Sequence, residues 1–177
     1  MFVYFLFLCF AFSNEIYQAS GCNGYRLNLT SIKNCIDDGV IQVSDDFGIA
    51  FDKTCDLYLI GCLDIIKTFK TAKATYFYQK QPLPELTGQI DICDFLESSK
   101  DTSIAKSINS LGFPATCPYE TGKICGDPGK KINLSAYKNQ LSMVLGKMEV
   151  KLKIDHDVGK SCIKLGLSAS RERKRSG

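Results

Sequence analysis

Apolar and polar residues alternate through much of this chain, and the alternation is cleanest near its end. Over residues 147–154, Met148, Val150, Leu152 and Ile154 share one parity while Lys147, Glu149, Lys151 and Lys153 share the other. A strand with that pattern buries one face and wets the other. Residues 155–159 supply a reversal, and 162–167 returns with Ile163, Leu165 and Leu167 on one side. Residues 25–29 alternate in the same way. Short apolar runs at 40–43, 49–51, 57–60, 65–69, 74–78 and 131–135 are kept to strand length by Asp-, Lys- and Gly-containing turn signals. Several short strands at such spacing, without strand-helix alternation, predict an all-β antiparallel sandwich or barrel. Residues 81–86 contain Pro82 and Pro84 and read as an exposed loop with apolar tips at Leu83 and Leu86, because proline has no ladder donor.

One stretch breaks the β pattern. From Cys93 to Cys117, Phe95 and Leu96 begin an apolar patch, and Ile104, Ile108 and Leu111 recur at helical spacing behind a cap at Asp101 or Thr102. Polar residues 97–103 separate the two, which predicts a broken helix. Leu111, Gly112, Phe113 and Pro114 end it at a turn. The stretch reads as a helical insert stapled by cysteines, its apolar stripe serving either as core packed on the sheet or as a ligand-facing flap.

Targeting and redox signals set the compartment. Residues 2–12 are uninterruptedly apolar and end at Ala11-Phe12-Ser13. That stretch is too short to span a bilayer and fits a secretory signal, residues 1–13, with a cut as late as Ser20 also open. Cys9 would leave with it. The other eight of the nine cysteines, Cys22, Cys35, Cys55, Cys62, Cys93, Cys117, Cys125 and Cys162, form an even set that reads as four disulfides in an oxidising compartment. Six residues separate Cys55 from Cys62, short enough to close across a hairpin or bulged turn. Residues 14–170 form one domain and 171–177 a basic, disordered tail. The expected destination is extracellular, with a lysosomal-type compartment as the other option. Asn28 and Asn133 each open an N-glycosylation sequon.

Charge and composition then exclude classes. The chain carries +3, and the tail alone carries +3, so residues 1–170 are neutral, with 18 basic and 18 acidic side chains. A neutral body argues against a nucleic-acid partner. No C-x-x-C occurs and His156 is the one histidine, so neither a metal nor a cofactor is expected. His156 stands between Asp155 and Asp157, as an acid-oriented base would, but it falls in a predicted turn and no Gly-x-Ser-x-Gly elbow is present. It reads as a surface turn histidine, and the chain as no enzyme.

The order of features resembles a known family. Cysteine-paired strands, the Cys-flanked helical insert ending in Cys117-Pro118-Tyr119 and then Glu120-Thr121-Gly122, a long amphipathic strand and a closing Cys162-Ile163-Lys164-Leu165 look like the ganglioside activator protein and its relatives in the ML-type lipid-recognition group, which includes insect CheB-type proteins. The resemblance covers about residues 25–168. It implies a cup-shaped, immunoglobulin-like β-sandwich whose apolar cavity holds one lipid, in some relatives presented to a lipid-processing enzyme or receptor with transient membrane contact. It also implies that Cys93 pairs with Cys117 and Cys35 with Cys162. Cys55 with Cys62 is then favoured, which leaves Cys22 with Cys125. The chain departs from the group in having no tryptophan for a membrane-contacting loop. On this reading the ligand would meet Tyr76, Tyr78, Phe95, Ile108, Leu111, Phe113, Met148, Val150 and Leu152, with Leu83 and Leu86 at the rim. Each of these would serve equally as ordinary core. The competing class is a secreted disulfide-rich interaction protein or inhibitor with no lipid cavity.

Overall fold

A computed structural model of the chain describes residues 22–137 and 139–171. The expected signal peptide, residues 1–13, and all of the expected basic tail, 171–177, except Arg171 lie outside them. Seven strands come first, β1 (Tyr25–Asn34), β2 (Ile41–Val43), β3 (Gly48–Phe51), β4 (Asp56–Ile60), β5 (Cys62–Ile65), β6 (Ala72–Lys80) and β7 (Leu86–Asp91). Two helices, α1 (Ile92–Ser99) and α2 (Ser103–Ser110), precede β8 (Gly122–Cys125), β9 (Lys131–Asn133), β10 (Gly146–His156) and β11 (Gly159–Arg171). The fold is the expected antiparallel sandwich with a short helical insert. One layer is a five-stranded sheet in the order β1-β11-β10-β6-β7; the other is made of two three-stranded sheets, β2-β5-β8 and β3-β4-β9.

The chain passes from β4 in one small sheet to β5 in the other through Gly61 (φ +68°), where a Cβ would stand 2.6 Å from the Asp46 carbonyl oxygen. Only glycine fits that corner. In the large sheet the inward row of β10, Met148, Val150, Leu152 and Ile154, is buried, as are Ile163, Leu165 and Leu167 opposite it on β11. Both strands outrun their predicted ends. β10 continues to His156, so the reversal shrinks to Asp157-Val158, and β11 runs on to Arg171, which pairs with Tyr25. The apolar run at 65–69 is not a strand: β5 stops at Ile65, and Phe69 instead exchanges two backbone hydrogen bonds with Tyr119 (3.0 and 3.1 Å). The insert is broken as the pattern requires, with Asp91 capping α1 and Thr102 capping α2. The break falls at residues 100–102, so residues 97–99 are helical.

Four disulfides hold the layers. Cys35 joins Cys162 and Cys93 joins Cys117, the two pairings the family resemblance implied. The other two are Cys22–Cys55 and Cys62–Cys125, which corrects the expected Cys55–Cys62 and Cys22–Cys125. The reason is geometric. Cys55 and Cys62 sit at opposite ends of the extended β4 segment, about 20 Å apart at strand rise. Cys62 instead faces Cys125 directly across the β5–β8 ladder, with 4.0 Å between their Cα atoms.

A second tie joins β4 to β9. Asp56, only 6% exposed, accepts hydrogen bonds from Lys131 Nζ (2.6 Å), Asn133 Nδ2 (2.7 Å) and Thr54 Oγ1 (3.0 Å). Lys131, then Asn133, hold its carboxyl below the usual carboxylate range. Asn133 Nδ2 also donates to the Thr54 carbonyl (3.0 Å), and its Oδ1 accepts from the Ser135 N–H (3.1 Å) and hydroxyl. A glycan would attach through that same nitrogen and displace one of its two bonds. Asn28 is exposed on β1 with nothing comparable to lose. Peptide mapping of the protein from an insect secretory host is therefore expected to find glycan on Asn28 and bare Asn133. Asp56→Ala should lower stability by about 2 kcal/mol, the scale of hydrogen bonds to a charged group, read as an earlier urea midpoint.

Candidate functional site: an apolar cavity between the layers

The two layers and the insert do not close on each other completely. They enclose a cavity of about 530 Å³. Leu57 and Leu59 of β4, Leu63 and Ile65 of β5 and Ile132 of β9 form one wall, because these are the inward parities of the small sheets. Ile154 and Ile163 bring up the large sheet from the other side. The insert contributes Ile92 and Phe95 from α1, Ile104 and Ile108 from α2, then Leu111 and Phe113. Opposite it, the connection between β9 and β10 supplies Leu134, Leu141 and Val144, and the exposed Tyr137 (41%), Gln140 and Met143 (55%) stand at the mouth.

Among the described residues, no lining side chain carries a charge. Polar atoms come from Ser107, Tyr119, Tyr137 and Gln140, and two of these are already committed to backbone acceptors. Ser107 Oγ donates to the Ser103 carbonyl (2.9 Å) and the Tyr119 hydroxyl to that of Pro114 (2.5 Å). Burial pushes the Tyr119 phenol up to about 12, so it remains a neutral donor. Tyr119 also stacks on Phe69, ring centroids 5.3 Å apart, and thereby ties the end of the insert to the sandwich beside the Cys93–Cys117 bridge. Native interiors hold few voids larger than a water, and sites for small molecules occupy roughly 300–1,000 Å³. The volume of this space falls within that second range.

No family model matches the chain. It is 28% identical over 156 residues to sporozoite-associated mosquito saliva protein 1 of Anopheles gambiae, a match covering 86% of either chain.

The sequence-derived ligand set divides in space. Phe95, Ile108, Leu111 and Phe113 come together on the cavity wall. Tyr76, Tyr78, Met148, Val150 and Leu152 do not reach it. They face inward from the far half of β6 and β10, where the layers meet fully; Tyr78 and the three β10 residues are buried in packed core. Tyr76 lies across Gly88, where a Cβ would come within 2.2 Å of its hydroxyl oxygen. Leu83, 56% exposed, sits in the β6–β7 turn and Leu86 opens β7; neither lines the mouth, whose lip is formed by Tyr137, Gln140 and Met143. Sequence reasoning missed most of the walls. Leu57, Leu59, Leu63 and Ile65 carried only the generic strand signal, and the apolar cluster Leu141, Met143, Val144 and Leu145 was the legible clue to the lip.

His156 is not a surface turn residue. It continues the inward parity of β10 and is buried against Phe69, centroids 4.4 Å apart, with Nε2 2.9 Å from Ser161 Oγ. The Ser161 oxygen in turn accepts the Ile41 N–H (2.8 Å). Burial holds the imidazole below its ordinary value of 6.5, outweighing the opposing pull of Asp157 and Asp155. Above pH 6.5 the ring is neutral folded or unfolded. As pH falls through about 6.5, the unfolded chain takes up a proton that the folded chain refuses, so stability falls. Urea midpoints should decline between about pH 7 and 5, and His156→Gln should flatten that window while leaving the loss at lower pH, where Asp56 and Asp157 protonate.

Proposed function

We propose that this is a secreted carrier that holds one lipid or other apolar small molecule between its layers. The observation that carries the reading is the cavity: some 530 Å³ walled by Leu, Ile, Phe and Val side chains, with no charge among the described lining residues. A hydrocarbon chain entering such a space gains about 0.8 kcal/mol per CH₂ removed from water. Selectivity then falls to the mouth, where the Gln140 amide can meet a polar head group still in contact with solvent. The resemblance to the ML-type group supports the same reading, and with it the presentation of the ligand to an enzyme or receptor through transient membrane contact.

Secretion is supported by three separate lines: the apolar amino-terminal run, four disulfides, and a relative named for saliva. That name favours an extracellular destination over a lysosomal one. The chemistry proposed is binding, not catalysis; the buried His156 contacts Ser161 and Phe69 and is absent from the cavity wall. The relative's name also describes association with a parasite stage, which an interaction protein without a ligand would serve equally well.

Organic extraction of the purified secreted protein, with mass spectrometry of the extract and a heat-denatured control, separates the two readings. A stoichiometric lipid or hydrocarbon is expected, and Leu111→Trp, which places an indole in the void, should reduce its recovery with no loss of thermal stability. An empty extract, together with no binding of a fluorescent fatty acid or sterol, would leave the interaction protein as the better account.

A further inference from the structure

The neutral sum of residues 1–170 conceals a segregated surface. Strand register places Lys33 of β1 opposite Lys164 of β11, and Lys164 opposite Lys151 of β10, on the outward face of the five-stranded sheet. Three ammonium groups therefore stand in one row about 10 Å wide at ordinary strand spacing. Lys147 and Lys153 share that parity on β10, about 20 Å apart along the strand, and Lys73 of β6 faces outward opposite Asp155. Arg26 and Lys160 complete eight cations at the outward positions, against three carboxylates, Glu149, Asp155 and Asp91. Among the described residues the face carries a net +5.

Two of those carboxylates are engaged, Glu149 with Lys164 (2.9 Å) and Asp155 with Lys160 (3.3 Å). Lys33 and Lys151 have no ion-pair partner among the described residues. Like charges directly opposite on adjacent strands cost stability. Folding alone gives no reason to align three of them.

The kind of partner follows from what else the face offers. Beside the lysine row the hydroxyls of Thr30 and Ser31 lie over Gly166, where a Cβ would meet both oxygens at 2.6 Å. Ammonium groups with adjacent hydroxyl donors suit tetrahedral oxyanions. Phe77, the one aromatic at the described outward positions, is covered by the Lys153 ammonium 5.3 Å from its centroid, so no platform is left on which nucleotide bases would stack. Phe77 apart, none of the described outward positions of this face carries an apolar side chain that would enter a bilayer. We propose that the outer face of the five-stranded sheet is a docking surface for a sulfated polysaccharide, the polyanion of extracellular surfaces, independent of the cavity.

Heparin affinity of the full secreted protein tests this, with Asn28→Gln in every sample, because a glycan on Asn28, outward on the edge strand β1 opposite Ser168, would stand on the same face. Lys33→Gln/Lys151→Gln is compared with Lys53→Gln/Lys67→Gln, which removes the same charge from exposed loops off this face. The Asn28→Gln protein should be retained at about 0.15 M salt. The first pair should weaken binding by roughly tenfold or more, with unchanged or higher melting temperature, while the second changes it little. Equal losses from both pairs would reduce the effect to net charge and overturn the proposal. So would failure of the Asn28→Gln protein to bind heparin, or tighter binding to a single-stranded oligonucleotide at matched salt.

Discussion

The pairing of β10 with β11 fixes more of this molecule than any other contact. Eleven residue pairs in unbroken register, from Gly146 with Ala169 to His156 with Gly159, decide which parity of two long strands looks inward. A slip of one residue would exchange the faces, turning lysines into the core and leucines to water. The same register sends Ile154 and Ile163 to the cavity, brings His156 against Ser161, and aligns Lys151 with Lys164 outside. Cavity, buried imidazole and basic face are three consequences of one ladder, further pinned by the Cys35–Cys162 bridge, which closes a span of 127 residues. In the chain-entropy account such a loop contributes about 5 kcal/mol.

A cavity of this size needs something that prevents collapse. Van der Waals contact is lost wherever walls do not touch, so two apolar layers left to themselves would close. Here the insert acts as a spacer. α1 leaves the end of β7 directly, Cys93 and Cys117 bind the two ends of the insert together, and the Phe69–Tyr119 bridge fastens its exit to the sandwich. On the opposite side the 3₁₀ turns Ser135–Tyr137 and Leu141–Val144 hold the lip apart from the helices. Cys22–Cys55 and Cys62–Cys125 secure the thin sheets, whose strands of three to five residues are too short to be rigid alone.

What the sequence disclosed followed from periodicity, and what it hid followed from tertiary placement. The strict alternation at 147–154 located β10 and its buried face, and the helical spacing of Ile104, Ile108 and Leu111 located α2 and part of the cavity wall. The same alternation extended to position 156 would have placed His156 inside; its acidic neighbours suggested a turn instead. Tyr76, Met148, Val150 and Leu152 were sound inward residues, but no local signal says where along a strand two layers diverge. Disulfide partners were legible only where family resemblance spoke. Cys55 and Cys62, close in sequence, are separated by a strand, and Cys62 meets Cys125 only because β5 and β8 pair.

The charge pattern was hidden for a similar reason. A total says nothing about a surface until register assigns each side chain a face. Residues 1–170 sum to zero, so the excess of five cations at the described outward positions of this face is offset by carboxylates elsewhere in that stretch, and a neutral body carries a basic face. Such a molecule orients in the field of a polyanion before contact, basic face first. The cavity opens between the insert and Tyr137, Gln140 and Met143, and none of its described lining residues belongs to the outward positions of the large sheet. Docking by that face would therefore leave the mouth clear, so one small domain can be held at an extracellular surface without giving up the space between its layers.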